Sequence, residues 1–164
     1  MPYNETNKTG KSGITYYIDE LNTRFNSLLY TTNIRNIAGL ARIDIEGVPF
    51  IRSGNQYTDA LFNDKNDLSL FYVESGDRKI NGYSFDAKID LIVTAKMTNF
   101  TGIEEEDIIE QVYEIMKVTS FEPIALARDT NAYKEFKYSD KITETMRPYF
   151  VFRIKCKLNG QLKQ

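Results

Sequence analysis

Two short runs of charged residues have types and spacing that could support chemistry. Asp86 and Lys88 stand two residues apart in a segment with strand-like alternation, so their side chains share one face of a sheet. An acid and a lysine on one face are compatible with metal-assisted hydrolysis. Residues 104–107 form an unbroken acidic run, and carboxylate oxygens are ligands that divalent cations prefer. The sequence therefore offers two candidate metal sites.

The acidic run has a simpler structural explanation. Thr101 and Glu104 have the spacing of a capping box, the reciprocal hydrogen bonding that starts a helix. Acids in a first helical turn also interact favourably with the helix dipole. We therefore interpret residues 104–107 as the start of a helix and not as a metal site.

The tripeptide Asp86-Ala87-Lys88 resembles the core of the PD-(D/E)xK nuclease superfamily. In that superfamily the acids hold a divalent metal and the lysine positions the attacking water. However, Asp90, Thr94 and Lys96 continue the polar stripe, as expected of a sheet face in water with cross-strand charge pairs. We favour the solvated face and keep a metal-dependent nuclease that uses Asp86 and Lys88 as an alternative.

Composition excludes several other chemistries. The chain of 164 residues contains no His, no Trp and a single cysteine, Cys156. A disulfide within the chain, a Cys/His zinc site, and Ser-His-Asp or Cys-His catalysis are therefore excluded. The net charge of −2 argues against a general nucleic-acid binder, which would carry a basic surplus. We expect no catalytic residues, no metal and no cofactor.

Length and patterning predict one domain with a short segment at each end. Residues 1–13 are polar and contain two glycines, which predicts a flexible N-terminal arm. Residues 14–158 form the predicted domain, and residues 159–164 a C-terminal tail. No apolar run approaches the roughly 18 residues of a membrane-spanning helix, and the first residues do not resemble a secretory signal peptide. We therefore expect no membrane association.

Hydrophobic spacing predicts the elements of this domain. Apolar residues at a 3.6-residue period predict helices over 14–30 and from 101 to about 118. Period-two alternation and turn residues predict strands at 41–45, 48–51, 68–74, 84–97, 124–128 and 149–158. Residues 53–67 are turn-rich and predict a loop, residues 75–83 predict a long hairpin, and residues 133–147 fit no element.

The strand over 84–97 is the strongest of these. Its apolar side chains alternate with polar ones, and Ile92 is the single exception on the polar side. Such alternation indicates one face on a core and one face in water, which favours an antiparallel sheet. The sequence thus predicts an α+β fold, with a mostly antiparallel sheet of about four or five strands and two helices packed on one face.

The closing strand allows two interpretations of its basic residues. Arg153, Lys155 and Lys157 alternate with apolar residues and could follow a phosphate backbone. We favour the outer face of a terminal strand, where lysines protect an edge against aggregation. Cys156 lies on the opposite, apolar side and is expected to be a core thiol.

The element order is similar to that of the tail-terminator and tail-completion proteins of tailed bacteriophages. The similar features are the amphipathic helix over 14–30, the extended hairpin before the long strand 84–97, the acidic helix start Thr-Gly-Ile-Glu-Glu-Glu-Asp-Ile-Ile and the closing strand Arg-Pro-Tyr-Phe-Val-Phe-Arg-Ile-Lys. The resemblance spans most of residues 14–158. Those proteins form rings at the head–tail neck of the virion and have no catalytic residues.

The resemblance implies a structural virion protein of the head–tail connector, assembled in the host cytoplasm. It implies a homo-oligomeric ring with a multiple of six subunits that joins portal or other neck proteins to the tail. DNA would pass through the lumen without sequence-specific binding.

A ring needs two different matching surfaces on each subunit. The expected pair is the hairpin 75–83 and the polar sheet face with the loop 53–67, while the arm 1–13 reaches a further neighbour. A generic α+β protein-binding module is the remaining alternative.

Overall fold

Helices form where the apolar stripes recur. The computed structural model describes residues 13–28, 36–62, 65–137 and 148–161. Within them, α1 spans Gly13–Leu28, α2 Glu105–Met116 and the single turn α3 Thr130–Tyr133. In α1 the predicted stripe is buried at Ile14, Ile18, Leu21 and Phe25, and the stripe of α2 is buried too, as a 3.6-residue period requires. None of the described helices is long and apolar enough to cross a lipid bilayer.

The strands form one mixed sheet. They are β1 Asn36–Ile43, β2 Pro49–Ser53, β3 Gln56–Asp59, β4 Leu68–Glu74, β5 Lys79–Asn81, β6 Ser84–Lys96, β7 Phe121–Arg128 and β8 Tyr149–Gln161. Their order is β3-β2-β1-β4-β6-β8-β7, and β5 pairs with the start of β6. Among the described strands, only β1 and β4 pair in parallel. The α+β class is confirmed, but the described sheet has eight strands where four or five were predicted.

The main core lies between the sheet and the two long helices, on one face as predicted. We call this the helix face. It contains Leu21 and Phe25 from α1, Val112 and Met116 from α2, and Leu91 from β6. The alternation along β6 points Phe85, Ala87, Ile89, Leu91, Val93 and Ala95 to this side. The predicted sidedness of that strand is therefore confirmed for its apolar half.

The opposite face of the sheet is only partly in water, which corrects the sequence prediction. Residues 60–62 and 132–136 cover part of it and form a second core with Ile92, Phe71 and Val151. Ile92, which interrupts the polar stripe in the sequence, is completely buried there. Phe71, Ile92 and Val151 come from β4, β6 and β8, and the two covering segments bury the apolar patch that these side chains form.

Several predicted boundaries move. The predicted loop 53–67 contains β3, which pairs with β2 across a turn where Gly54 has a φ of +61° that suits glycine. The N-cap of α2 is Glu104 and not Thr101; its backbone N–H donates to the Asp107 carboxylate over 2.9 Å. The capping box therefore exists, three residues later than predicted.

The sheet also takes in residues outside the predicted strands. β7 begins at Phe121 and not at residue 124. β8 continues to Gln161, so residues 159–161 belong to the sheet and not to a tail. Most of the predicted arm and residues 138–147 lie outside the described residues, and Gly13 begins α1.

Candidate functional site

Asp86 and Lys88 lie on the exposed part of β6, on the face opposite the helices, as predicted. Register fixes their neighbours. Asp86 lies opposite Lys79 of β5 on one side and Asn159 of β8 on the other, and Lys88 lies opposite Lys157. A metal-dependent nuclease would need a second carboxylate here. Across the described ranges, no group of three or more Asp, Glu or Cys side chains is placed to hold a metal ion.

The acidic run of α2 is occupied by structural contacts. Glu104 and Asp107 form the capping box. Glu105 and Glu106 both accept hydrogen bonds from Arg128 at the end of β7, over 3.0 and 2.6 Å. The Arg128 guanidinium also lies 5.0 Å from the centroid of the Phe150 ring. These contacts tie the start of α2 to the sheet.

The most concentrated charge cluster is buried between the second core and the sheet. Arg153 of β8 donates to the Asp90 carboxylate of β6, with N–O distances of 2.8 and 2.7 Å. Both residues are buried, at 5% and 3% exposure. Arg153 also donates to Glu135, and its guanidinium lies 5.6 Å from the centroid of the Phe136 ring. The cluster joins residues 130–136, which we call the α3 segment, to the centre of the sheet.

This burial overturns the predicted role of Arg153. It belongs neither to a phosphate-tracking stripe nor to an outer edge, because β8 lies between β6 and β7 and the α3 segment covers it. Lys155 and Lys157 do lie on the exposed part of that face. They do not guard an edge, since strands flank β8 on both sides.

Cys156 is a core thiol, as predicted. It points to the helix face and is 1% exposed. Burial, with a smaller contribution from the Asp90 charge, raises the pKa of the Cys156 thiol to about 12. A thiol is nucleophilic only as the thiolate, so this cysteine is unreactive in the folded protein at neutral pH.

The predicted hairpin 75–83 contains β5 and exposes Ile80 and Tyr83 at its end. Its base is held by Arg78, which donates twice to Glu74 at 2.8 Å. The hydrogen bond to Glu74 raises the pKa of Arg78. The hairpin is thus fixed at its base and presents an apolar tip, which suits a contact surface.

The edge strands of the sheet are a feature that the sequence reasoning missed. The order ends in β3 on one side and β7 on the other. β7 exposes Ile124 and Leu126, and β3 exposes Tyr57, whose ring lies 5.6 Å from that of Phe50. Natural edge strands commonly carry lysine to prevent pairing with other chains. Pro123 protects the first part of β7, so the available sequence signal was the uncharged run Ile-Ala-Leu-Ala at 124–127.

The polar sheet face, one of the two expected ring surfaces, is reduced by the second core. Among the described residues of this face, the exposed ones lie around Asp86, Lys88 and Lys157. Most of the exposed apolar residues that the structure describes instead lie at the sheet edges and hairpin ends, including Ile45 in the turn between β1 and β2; Val118, after α2, is an exception. The candidate functional site is therefore this set of edges.

In comparisons with known proteins, no family model and no curated protein matches the chain.

Proposed function

We propose that this chain is a structural virion protein that forms a ring in the head–tail connector of a tailed phage, similar to a tail terminator. In this proposal the ring contains a multiple of six copies, contacts portal, neck or tail proteins, and surrounds the DNA channel. Its role is not enzymatic. The protein assembles in the host cytoplasm and resides at the head–tail junction of the virion.

The observation that supports a role in assembly is the position of the exposed apolar side chains. Most of those in the described residues lie on edge strands and hairpin ends, at Tyr57, Ile80, Tyr83, Ile124 and Leu126, while Val118 lies after α2. Apolar residues on sheet edges favour contacts with other protein chains. The place of the ring in a virion rests on the similarity of element order described above, and the chain's net charge of −2 is compatible with DNA sliding past.

A first experiment tests the place of the protein. Mass spectrometry and cryo-electron microscopy of purified virions should find this chain at a low, ring-like copy number at the head–tail junction. Genes for portal, capsid and tail-tube proteins should lie beside its own gene. Absence from virions, or hundreds of copies per particle, would refute the proposal.

A second experiment tests the nuclease alternative. The protein is incubated with double- and single-stranded DNA and Mg²⁺ or Mn²⁺, beside the variants Asp86→Asn and Lys155→Gln. Because the cross-strand neighbours of Asp86 are Lys79 and Asn159, we expect no cleavage by any of the three proteins. Cleavage that Asp86→Asn abolishes and the exposed control Lys155→Gln retains, with the fold intact, would establish the enzyme instead.

A further inference from the structure

The two edge strands of the sheet run in opposite directions. Between β3 and β7 there are six junctions of neighbouring strands, and five of them are antiparallel because only β1 and β4 pair in parallel. An odd number of reversals leaves β3 and β7 antiparallel to each other. Two copies related by rotation about an axis along the strands would therefore bring β7 of one beside β3 of the next in antiparallel orientation.

The two edges also lie at the same level along the strands. Following directly opposed residues from β7 across the sheet gives the row Leu126, Ile154, Leu91, Tyr72 and Leu40. The pairs of β1 with β2 run from Ile43–Pro49 to Ala41–Ile51, and extending this register by one residue places Arg52 beside Leu40. Arg52 lies opposite Tyr57 of β3. One row of the sheet thus begins at Leu126 and ends at Tyr57.

Leu126 and Tyr57 point to the same side. Leu126 lies opposite Ile154, which packs in the helix-face core. Thr58 lies opposite Ile51, which packs in the second core, so the preceding residue Tyr57 points to the helix face by alternation. Leu126 is 42% exposed and Tyr57 66% exposed. Side by side, they would form an aromatic–aliphatic cross-strand pair, a combination that stabilises sheets.

We propose that β7 of one copy pairs in antiparallel fashion with β3 of the next copy, with Leu126 opposite Tyr57 and Ala125 opposite Thr58. The sheet then continues from subunit to subunit. This inference rests on the proposed ring and names its lateral contact. Such a head-to-tail contact forms a ring where the rotation between copies closes and a filament where it does not, and the proposed ring requires the closed case.

The proposed contact between β3 and β7 involves few residues. β3 has four residues. In β7 the register shift between Pro123 and Ala125 interrupts the ladder, and proline lacks the N–H that a sheet ladder uses. Pairing is therefore confined to the residues after Pro123. A single contact of this size is weak. A closed ring is more stable than a dimer because every subunit is joined at both edges. Covalent trapping is therefore the appropriate assay.

The test uses engineered cysteines. The double variant Tyr57→Cys/Leu126→Cys is oxidised at high protein concentration and run on non-reducing gels, beside each single variant. Opposed residues of antiparallel strands meet the distance requirement of a disulfide. The buried Cys156 does not contribute, because its thiol stays protonated in the fold. A matched control, Thr58→Cys/Leu126→Cys, places the two thiols on opposite faces.

We expect the Tyr57/Leu126 double variant to give a ladder of dimers, trimers and larger species that a reductant collapses. Each single variant should remain monomeric, and the Thr58/Leu126 control should form at least tenfold less product. Absence of the ladder refutes the contact. Dimers of Leu126→Cys alone would show that β7 pairs with β7, and equal ladders from the control would show random collision; both results also refute it.

Failure of this contact and failure of the proposed function give different results. If the ladder is absent but virions contain the chain as a neck ring, the ring uses another lateral surface. If the ladder forms but virions lack the chain, the self-assembly stands and its place in a phage neck is wrong. Tyr57 and Leu126 are exposed and Thr58 is half-buried, so far-UV circular dichroism of each purified variant should match that of the parent protein.

Discussion

The buried pair of Arg153 and Asp90 makes a strong prediction about stability. Replacing Arg153 with methionine keeps an unbranched side chain of similar length against Phe136 but removes the guanidinium. Asp90, at 3% exposure, then remains as a buried carboxylate without its partner. Removing one member of a buried ion pair costs about 3–5 kcal/mol of unfolding free energy. The contact of Arg153 with Glu135 adds little, because the Glu135 side chain is 55% exposed.

The magnitude can be read from urea unfolding followed by far-UV circular dichroism. With a denaturant slope of about 2 kcal/mol per molar, that loss lowers the urea midpoint by about 2 M. The matched control is Lys155→Met, two residues along β8 on the same face but exposed, which should change the unfolding free energy by less than about 0.5 kcal/mol.

A double variant separates charge from packing. Asp90→Leu/Arg153→Met replaces both charges with apolar groups, and replacing a buried ion pair in this way is often neutral or stabilising. We therefore expect the double variant to recover most of the midpoint that Arg153→Met loses. If Arg153→Met is tolerated as well as Lys155→Met, the ion pair of Arg153 and Asp90 does not stabilise the fold and the reasoning fails.

Three further predictions concern the core. Leu91→Ala should cost about 2–5 kcal/mol, because Leu91 is 1% exposed, while Lys88→Ala on the exposed face should cost under about 0.5 kcal/mol; equal midpoints would contradict the sidedness of β6. Gly160→Ala should cost about 1–3 kcal/mol, because its new methyl carbon would lie 2.6 Å from the rings of both Phe85 and Tyr17; a neutral result would show that both rings can move. The pKa of Cys156 is raised from 9.0 to about 12 in the fold, so the unfolded chain loses its thiol proton first as pH rises. Below about pH 9 the thiol is protonated in both states, so its titration does not lower the unfolding free energy. Between about pH 9 and pH 12 the unfolding free energy falls by roughly 1.4 kcal/mol per pH unit because of this thiol. Urea unfolding of Cys156→Ala at several pH values should lack this contribution.

Local patterns predicted the elements better than their arrangement. The strand over 84–97 and the helix over 105–116 follow from side-chain period, which is a property of neighbouring residues, although the N-cap is Glu104 where Thr101 was predicted. β3 was missed because Gln-Tyr-Thr-Asp has no apolar alternation and is stabilised by its pairing with β2. Its formation depends on a partner strand that a local pattern does not contain.

The candidate site was harder to predict for the same reason. That Asp86 and Lys88 share an exposed face follows from a period of two, but their neighbours Lys79 and Lys157 follow from register. Arg153 has the same alternation as Lys155, and only the segment that covers it distinguishes the two. The edge positions of β3 and β7 depend on strand order, which is set by contacts between residues far apart in the chain.

The long pairing of β6 with β8 has a consequence for how the protein is made. All 13 residues of β6 face partners in β8, yet Asp90 and Arg153 are 63 positions apart in the chain. During translation β6 can pair with β4 at once, but its other side waits until the ribosome has added β8. Pairings over such distances form slowly and expose apolar strands to neighbouring chains meanwhile. The yield of soluble protein should therefore depend on translation rate and chaperones more than on the stability of the finished fold.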